Sequence, residues 1–245
     1  MIDFLATPIR LRSAWLLATI ALFACGGGGD TGASPGGPSN MAAPQSARAS
    51  IEINADSICA ATGVPETCAK LLSTSHPEWT LDDRAIRGLS FDSIYSGYDQ
   101  VWVGGPMGMN GIQPAFASAA HPSKLVVIAL GFNDAYSGLD PTAYEAHLLS
   151  TVQWLKTQGK VVVLTGIPPV WNLVANTANL KASVLAAAKT NNDAARRVAS
   201  ITGSAFAGWD ALPRYETLTD GLHPTAPQLE YLTLLLAQAI QKSLT

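Results

Sequence analysis

Two short runs of consecutive apolar residues constrain the fold of this chain more than any other feature of its sequence. The first covers residues 125–130 and is followed by Gly131, and the second covers residues 161–164. A strand with one solvated face alternates apolar and polar residues, whereas a strand covered on both faces is apolar throughout. Because both runs have the length of a strand, they predict inner strands of a parallel sheet.

Helical segments separate and follow these predicted strands. Apolar residues recur at helical spacing in three segments, which are residues 141–158, 181–202 and 225–244. Shorter strands are predicted at residues 51–53, 80–87 and 204–209, and a further helix is predicted after Asp56 and Ser57. This alternation predicts right-handed βαβ units with helices on both faces of the sheet. Ligands of such sheets bind beyond the carboxyl ends of the strands, so residues that follow strands are candidates for a functional site.

The first 24 residues do not fit this pattern and predict an export signal. Arg10 and Arg12 precede an apolar run at residues 14–24, which is shorter than the about 20 residues that a membrane-spanning helix needs. The run ends at Cys25, and the segment 22–25 resembles a bacterial lipobox, in which the cysteine is lipidated and becomes the mature N-terminus. The alternative is ordinary secretion with a chance cysteine at this position.

Residues 25–50 predict a flexible tether and set the domain boundaries. The segment is rich in Gly and Pro and has no large apolar residue except Met41, so it cannot bury enough surface to offset the entropy of ordering it. We therefore expect a signal peptide at residues 1–24, the lipid-anchor cysteine and linker at residues 25–50, and one folded domain at residues 51–245. The resemblance to bacterial lipoproteins implies an exported, membrane-anchored protein that faces the periplasm from the outer membrane.

Composition and charge exclude several functional classes. The chain has 15 Lys and Arg against 18 Asp and Glu, with a formal net charge of −3, and it lacks the basic runs of a nucleic-acid-binding protein. It contains no CxxC or HExxH motif, so no metal site is predicted, and no GxGxxG or Walker A motif follows a strand. With Cys25 assigned to the lipid, Cys59 and Cys68 remain, and an exported protein can join them in a disulfide. The alternative is two buried thiols, and we expect the disulfide.

Four short motifs carry residue types that are suited to catalysis. In chain order they are Ala55-Asp56-Ser57-Ile58, Arg87-Gly88-Leu89-Ser90, Gly131-Phe132-Asn133-Asp134 and Asp220-Gly221-Leu222-His223-Pro224. Acyl transfer needs a nucleophile, a general base, a group that orients the base, and donors for the oxyanion. Ser57 can supply the nucleophile, His223 the base, and Asp220 the group that orients the base.

The order and content of these motifs resemble those of the SGNH, or GDSL-type, hydrolases. That family carries Ser, Gly, Asn and His in four separated blocks, with Asp three residues before His, and the resemblance extends over residues 51–242. It implies a three-layer α/β/α sandwich of the flavodoxin-like type with a central parallel sheet, and it implies no cofactor. It also implies an oxyanion hole made of the backbone N–H groups of Ser57 and Gly88 and the side-chain amide of Asn133. The first block departs from the family, since Ala55 stands where glycine is usual.

The function that this resemblance implies is hydrolysis of carboxylic esters through an acyl-enzyme, as in an esterase or lipase-like acylhydrolase. The expected substrate is a small-molecule or glycan ester, and the lipid anchor is the expected contact with a membrane. Two alternatives stay open. One is a carbohydrate O-acetyl esterase, and the other is a non-catalytic, ligand-binding lipoprotein in which Ala55 marks a decayed site. The chain retains Ser57, Asn133, Asp220 and His223, which favours an enzyme.

Overall fold

Five parallel strands form the centre of the structure, a computed structural model that describes residues 48–97, 115–170 and 182–245. They are β1 (Ser50–Ala55), β2 (Thr80–Asp83), β3 (Leu125–Ala129), β4 (Val161–Thr165) and β5 (Ala205–Ala207). Every pair of neighbours is parallel, and the strands lie in the order β2-β1-β3-β4-β5. This is the strand order of flavodoxin-like sheets, so the predicted fold is confirmed.

Six helices of the described residues cover the two faces of this sheet. They are α1 (Cys68–Ser75), α2 (Phe91–Ser96), α3 (Phe132–Ser137), α4 (Pro141–Thr157), α5 (Ala182–Thr202) and α6 (Ala226–Leu244). Helices α1 and α6 pack on one face of the sheet, and α2, α4 and most of α5 pack on the other. In the described part of the chain, no helix combines the length and apolar character that a membrane crossing requires.

Strand β3 shows why the inner strands are apolar on both faces. Leu125 and Val127 belong to the core beneath α1 and α6, whereas Val126 and Ile128 belong to the core beneath α2 and α4. All four side chains are at most 2% exposed. Burying one side chain of this size stabilises the fold by about 1.5–3 kcal/mol, so a polar residue on either face would be destabilising.

Helix α4 begins and ends where its sequence predicts. The Asp140 side chain accepts the N–H of Thr142 at 2.8 Å, and Pro141 takes the first helical position, where its missing N–H breaks no helical hydrogen bond. Gly159 follows the last turn with a φ of +72°, which glycine adopts without a steric penalty. Local capping therefore fixes both ends of α4.

Two local predictions are wrong. The helix predicted directly after Ser57 is replaced by turns, and α1 begins only at Cys68. Thr67 sets that start, because its side chain accepts the N–H of Lys70 at 3.2 Å. Strand β2 covers only the first half of the predicted segment 80–87. The structure also adds α2 and α3, which have six residues each and are too short to show an apolar period.

The predicted signal peptide, the lipidation residue Cys25 and most of the predicted linker lie outside the described residues. The described part of the chain begins at Arg48 and enters the sheet at Ser50. The lipid anchor therefore stays a prediction.

Cys59 and Cys68 are joined by a disulfide in the structure. Both side chains are buried, and the N–H of Cys68 also donates to the carbonyl of Cys59 at 2.9 Å. Cys59 lies two residues after Ser57, and Cys68 is the first residue of α1. The bridge therefore ties the turn that follows Ser57 to the start of a helix that packs in the core.

Removing this bridge should destabilise the fold. The double variant Cys59→Ala/Cys68→Ala should lose about 2.7 kcal/mol of unfolding free energy, because a bridge that closes a loop of about ten residues removes that much chain entropy from the unfolded state. Denaturant titration measures the difference. Reduced wild-type protein is the matched control, since it lacks the bridge but keeps both sulfur atoms. Two free thiols in unreduced, exported protein, detected by mass spectrometry of its peptides, would contradict the bridge.

Candidate active site

Ser57 lies just beyond the carboxyl end of β1, at the first turn that leaves the sheet. The carbonyl of Asp56 accepts the N–H groups of Cys59 and Ala60 at 3.2 and 3.1 Å, and Asp56 Oδ1 accepts the N–H of Ile58 at 2.9 Å. These three bonds close a tight turn around Ser57, which is 7% exposed. The turn fixes the backbone of the candidate nucleophile at the carboxyl edge of the sheet.

Gly88 lies beside this turn because the chain keeps running along β1 after β2 has ended. The N–H of Ile86 donates to the carbonyl of Ala55 at 2.9 Å, two residues before Gly88. Gly88 has a φ of +77°, a left-handed conformation that favours glycine. Among the described residues, no hydrogen bond uses the backbone N–H of Ser57 or of Gly88. Within the described ranges, both N–H groups therefore keep an unused donor.

The turn after β3 brings the third motif to the same edge. Gly131, which precedes α3, has a φ of +131°, and a Cβ atom there would lie 2.8 Å from the phenol oxygen of Tyr144. That phenol donates to the carbonyl of Leu130 at 3.1 Å, and the Asn191 amide donates to the carbonyl of Gly131 at 3.0 Å. Only glycine fits this position, so the close packing of the turn fixes the direction of Asn133.

The side-chain amide of Asn133 connects all three loops. Its Nδ2 donates to the carbonyl of Leu89 at 3.0 Å and to Asp56 Oδ2 at 3.3 Å. Leu89 directly follows Gly88, and Asp56 directly precedes Ser57. The structure therefore places the three predicted oxyanion residues, Ser57, Gly88 and Asn133, on loops that are hydrogen-bonded to one another.

Asp134 is a site residue that the sequence reasoning missed. Its side chain is completely buried, and its two carboxylate oxygens accept the N–H groups of Phe91 and Asp92 at 2.8 Å each, at the start of α2. Burial raises the pKa of Asp134, and these two N–H groups offset only part of the increase. The motif Gly-Phe-Asn-Asp contained this residue, but an Asn-Asp pair after a strand is also a common turn signal. Its partners on α2 could not be identified from sequence.

Asp220 and His223 meet in the loop before α6. His223 Nδ1 and Asp220 Oδ2 are 2.7 Å apart, and Asp220 Oδ1 accepts the backbone N–H groups of Leu222 and His223 at 2.9 Å each. Burial alone would raise the pKa of Asp220, but the hydrogen bonds from these backbone groups and from the imidazole outweigh it and lower the pKa. The carboxylate therefore stays ionised beside the ring.

The second nitrogen of the His223 ring, Nε2, is buried and has no hydrogen-bond partner among the described residues. Because a carboxylate only accepts, Nδ1 of the neutral ring carries the proton and Nε2 carries the lone pair. The hydrogen bonds of the described residues do not include one between this nitrogen and Ser57 Oγ. The structure thus pairs His223 with Asp220 and leaves the basic nitrogen free.

Tyr215 is a buried residue that contacts the loop of His223. Its phenol donates to the carbonyl of Leu222 at 3.1 Å, and its pKa is raised by burial and by the charges of Asp56 and Asp220. The charges of Asp220 and of Asp56, which directly precedes Ser57, therefore both act on this buried phenol. Within the described ranges, no group of three or more His, Cys, Asp or Glu residues could hold a metal ion.

Comparison with solved structures supports the fold. TesA is 20% identical to this chain, with a TM-score of 0.53, and the match covers 79% of this chain and 98% of TesA. The psychrotrophic esterase EstA from Pseudoalteromonas sp. is 17% identical, with a TM-score of 0.55 and coverages of 80% and 98%. A lipase/acylhydrolase from Enterococcus faecalis is 15% identical, with a TM-score of 0.57 and coverages of 79% and 96%. At these identities, the likeness concerns the fold alone.

Sequence comparison identifies the family. No curated protein sequence matches the chain. The GDSL-like lipase/acylhydrolase family matches residues 56–227, which is well over half of the chain and includes all four motifs from Asp56 to Pro224. The chain therefore belongs to the GDSL-like lipase/acylhydrolase family.

Proposed function

We propose that this protein is a serine hydrolase that cleaves carboxylic esters through an acyl-enzyme formed on Ser57. The observation that carries the proposal is the Asp220–His223 pair, which lies at hydrogen-bond distance and leaves His223 Nε2 buried and without a partner among the described residues. A base of this kind needs a hydroxyl to deprotonate, and Ser57 is the hydroxyl that the family motif supplies. Membership of an acylhydrolase family supports ester bonds as the substrate class.

The chemistry follows from the roles of these three side chains. His223 Nε2 takes the proton of Ser57 Oγ while Oγ bonds to the carbonyl carbon of the ester. The tetrahedral intermediate then collapses, and the same nitrogen returns the proton to the departing alcohol. Water, deprotonated by His223, then attacks the acyl carbon, and His223 returns that proton to Ser57 Oγ as the bond between Oγ and the acyl carbon breaks and the acid leaves. Contacts of this kind are often long without substrate and shorten in the substrate complex, so Ser57 Oγ reaches Nε2 when the ester is bound.

Asp220 supports both proton transfers without giving up a proton itself. Its lowered pKa keeps it ionised, so it stabilises the imidazolium that forms when His223 accepts a proton. It also holds the ring in the tautomer whose lone pair is on Nε2. Its own position depends on the backbone N–H groups of Leu222 and His223, so the loop itself preorganises the pair.

The oxyanion in this proposal is bound by the backbone N–H groups of Ser57 and Gly88 and by the amide of Asn133. Backbone donors that are fixed before the reaction stabilise developing charge without having to reorganise. The two backbone N–H groups have no partner among the described residues. The amide of Asn133 lies at the same edge, where it donates to Leu89 and Asp56, so one of these bonds has to be exchanged for a bond to the oxyanion.

The buried position of Ala55 favours an active enzyme over a decayed one. Ala55 is the last residue of β1, and its side chain is completely buried in the core beneath α1 and α6. An alanine here fills space in the core and leaves the turn around Ser57 closed by its own hydrogen bonds. The core therefore accommodates alanine at this position, and the turn that holds Ser57 is formed. A carbohydrate O-acetyl ester remains one substrate within the proposed class.

Substitution of the nucleophile or the base tests this proposal. Ser57→Ala and His223→Ala should each lower turnover of a short-acyl p-nitrophenyl ester by about three orders of magnitude or more, and the double variant should be little worse, because the two residues act as one unit. Ser73→Ala, an exposed change on α1, is the matched control and should keep wild-type turnover. Melting temperatures of all variants show whether the fold is kept. Near-wild-type turnover in Ser57→Ala would overturn the assignment.

We also propose that Cys25 is lipidated and that the domain is held at a membrane, facing the periplasm from the outer membrane. The lipobox-like segment 22–25 and the Gly-rich linker support this proposal. In cell fractionation, wild-type protein should be found with membranes, whereas Cys25→Ala should be soluble or unprocessed, since stable anchoring depends on the acyl chains. Ser46→Ala, in the linker, is the control and should fractionate as the wild type does. Wild-type protein in the soluble fraction would contradict the anchor.

A further inference from the structure

Both N–H groups of the Asn133 amide are engaged before any substrate binds. One donates to the carbonyl of Leu89 at 3.0 Å, and the other donates to Asp56 Oδ2 at 3.3 Å. A side-chain amide has only two hydrogens to donate. If Asn133 binds the oxyanion, as the proposed function requires, one of these two bonds has to loosen.

The bond to Asp56 is the one that can be exchanged. It is the longer of the two, and its strength depends on the charge of its acceptor. A hydrogen bond to an ionised carboxylate is about twice as strong as one between neutral groups. The carbonyl of Leu89 does not titrate, so the strength of its hydrogen bond does not change with pH in this way. The protonation of Asp56 therefore determines how freely the Asn133 amide can turn to another acceptor.

The surroundings of Asp56 favour its neutral form. The side chain is 2% exposed, and burial raises its pKa to about 7, with the nearby Asp134 carboxylate adding to the increase and the N–H of Ile58 opposing it. Burial raises the pKa of the phenols of Tyr144 and Tyr215, and the charge of Asp56 raises both further. Both phenols therefore stay neutral while Asp56 titrates. Asp56 thus changes its charge close to neutral pH.

We propose that Asp56 is a positioning residue, which acts on the reaction through the side-chain amide of Asn133. This inference rests on the proposed function. Neutral Asp56 holds the amide loosely and lets one N–H turn to the carbonyl oxygen of the substrate, whereas ionised Asp56 retains that N–H. The ionised form also puts a negative charge close to the oxyanion, since Oδ2 lies 3.3 Å from the donor nitrogen. Both effects raise the barrier, so the enzyme is most active while Asp56 is neutral and His223 is unprotonated.

The kcat should decline at alkaline pH because Asp56 loses its proton. Above the pKa of about 7, the neutral fraction of Asp56 falls about tenfold for each pH unit. Losing one oxyanion donor lowers kcat by about 10²–10³-fold. The ionised form then contributes little turnover, so kcat falls in proportion to the neutral fraction of Asp56. The kcat of the wild type should therefore fall by about tenfold or more between about pH 7 and about pH 9.

The variant Asp56→Asn separates positioning from a purely structural role, because it removes the charge and keeps the size of the side chain. Its kcat should no longer fall between about pH 7 and about pH 9, whatever its value at neutral pH. Asp193→Asn, an exposed change on α5, is the matched control and should keep the wild-type profile. In an Asn133→Ala background, Asp56→Asn should change the pH profile much less, because the amide that it acts through is gone.

A second readout does not depend on turnover. The side-chain amide signals of Asn133 in a nitrogen–proton NMR spectrum can be assigned by their loss in Asn133→Ala. In the wild type they should shift with a midpoint close to pH 7, and in Asp56→Asn this shift should be absent. The titration follows the bond between Nδ2 and Asp56 Oδ2 directly.

The proposal is overturned if Asp56→Asn lowers kcat by the same factor at every pH, or if the Asn133 signals do not follow a titration near neutral pH. Turnover of Ser57→Ala is measured alongside. Retained turnover in that variant would overturn the proposed function, whereas the NMR titration would still decide whether Asp56 controls the Asn133 amide. The two failures are therefore distinguishable.

Discussion

The hydrogen bonds made by Asn133 and Asp134 are the interaction on which the candidate site depends. Both residues lie in the first turn of α3, and each reaches loops that follow other strands. Asn133 bonds to Asp56 beyond β1 and to Leu89 beyond β2, while Asp134 accepts the first N–H groups of α2. These bonds are buried or partly buried, and leaving one such group without its partner costs about 1–3 kcal/mol. One short turn thus fixes the positions of two other loops, the one that follows β1 and the one that follows β2.

The parallel sheet supplies the frame for this arrangement. Because β1, β2 and β3 run in the same direction and are neighbours, their carboxyl ends meet at one edge, where Ala55 pairs with Ala129. The disulfide between Cys59 and Cys68 anchors the outgoing chain behind the candidate nucleophile to α1. The loop of Asp220 and His223 is closed separately, by its own backbone bonds, before α6 returns to the core. The disulfide and these backbone hydrogen bonds therefore hold the loops that carry the candidate catalytic groups.

Much of this could be predicted from the sequence, and the rest could not for physical reasons. The apolar runs of β3 and β4 and the capped helix α4 have local patterns, so strand, helix and fold class follow directly from them. The spacing of Asp220 and His223 also predicts their contact, because three residues of a turn bring the side chains together. The role of Asp134 could not be predicted, since its partners on α2 are more than forty residues away in sequence. The bond between the Asn133 amide and Asp56 could not be predicted from the sequence either, because it depends on the pairing of β1 with β3.

The central claim is that Ser57 is a nucleophile activated by His223 and Asp220. Its most direct test is covalent labelling with a fluorophosphonate, which reacts with activated serine hydroxyls and leaves a stable phosphonyl group on the oxygen. Peptide mass spectrometry should find one label per chain, on Ser57, and labelling of His223→Ala should be slower by orders of magnitude although its serine is intact. A label on another serine, or equal labelling rates in the wild type and His223→Ala, would contradict the account.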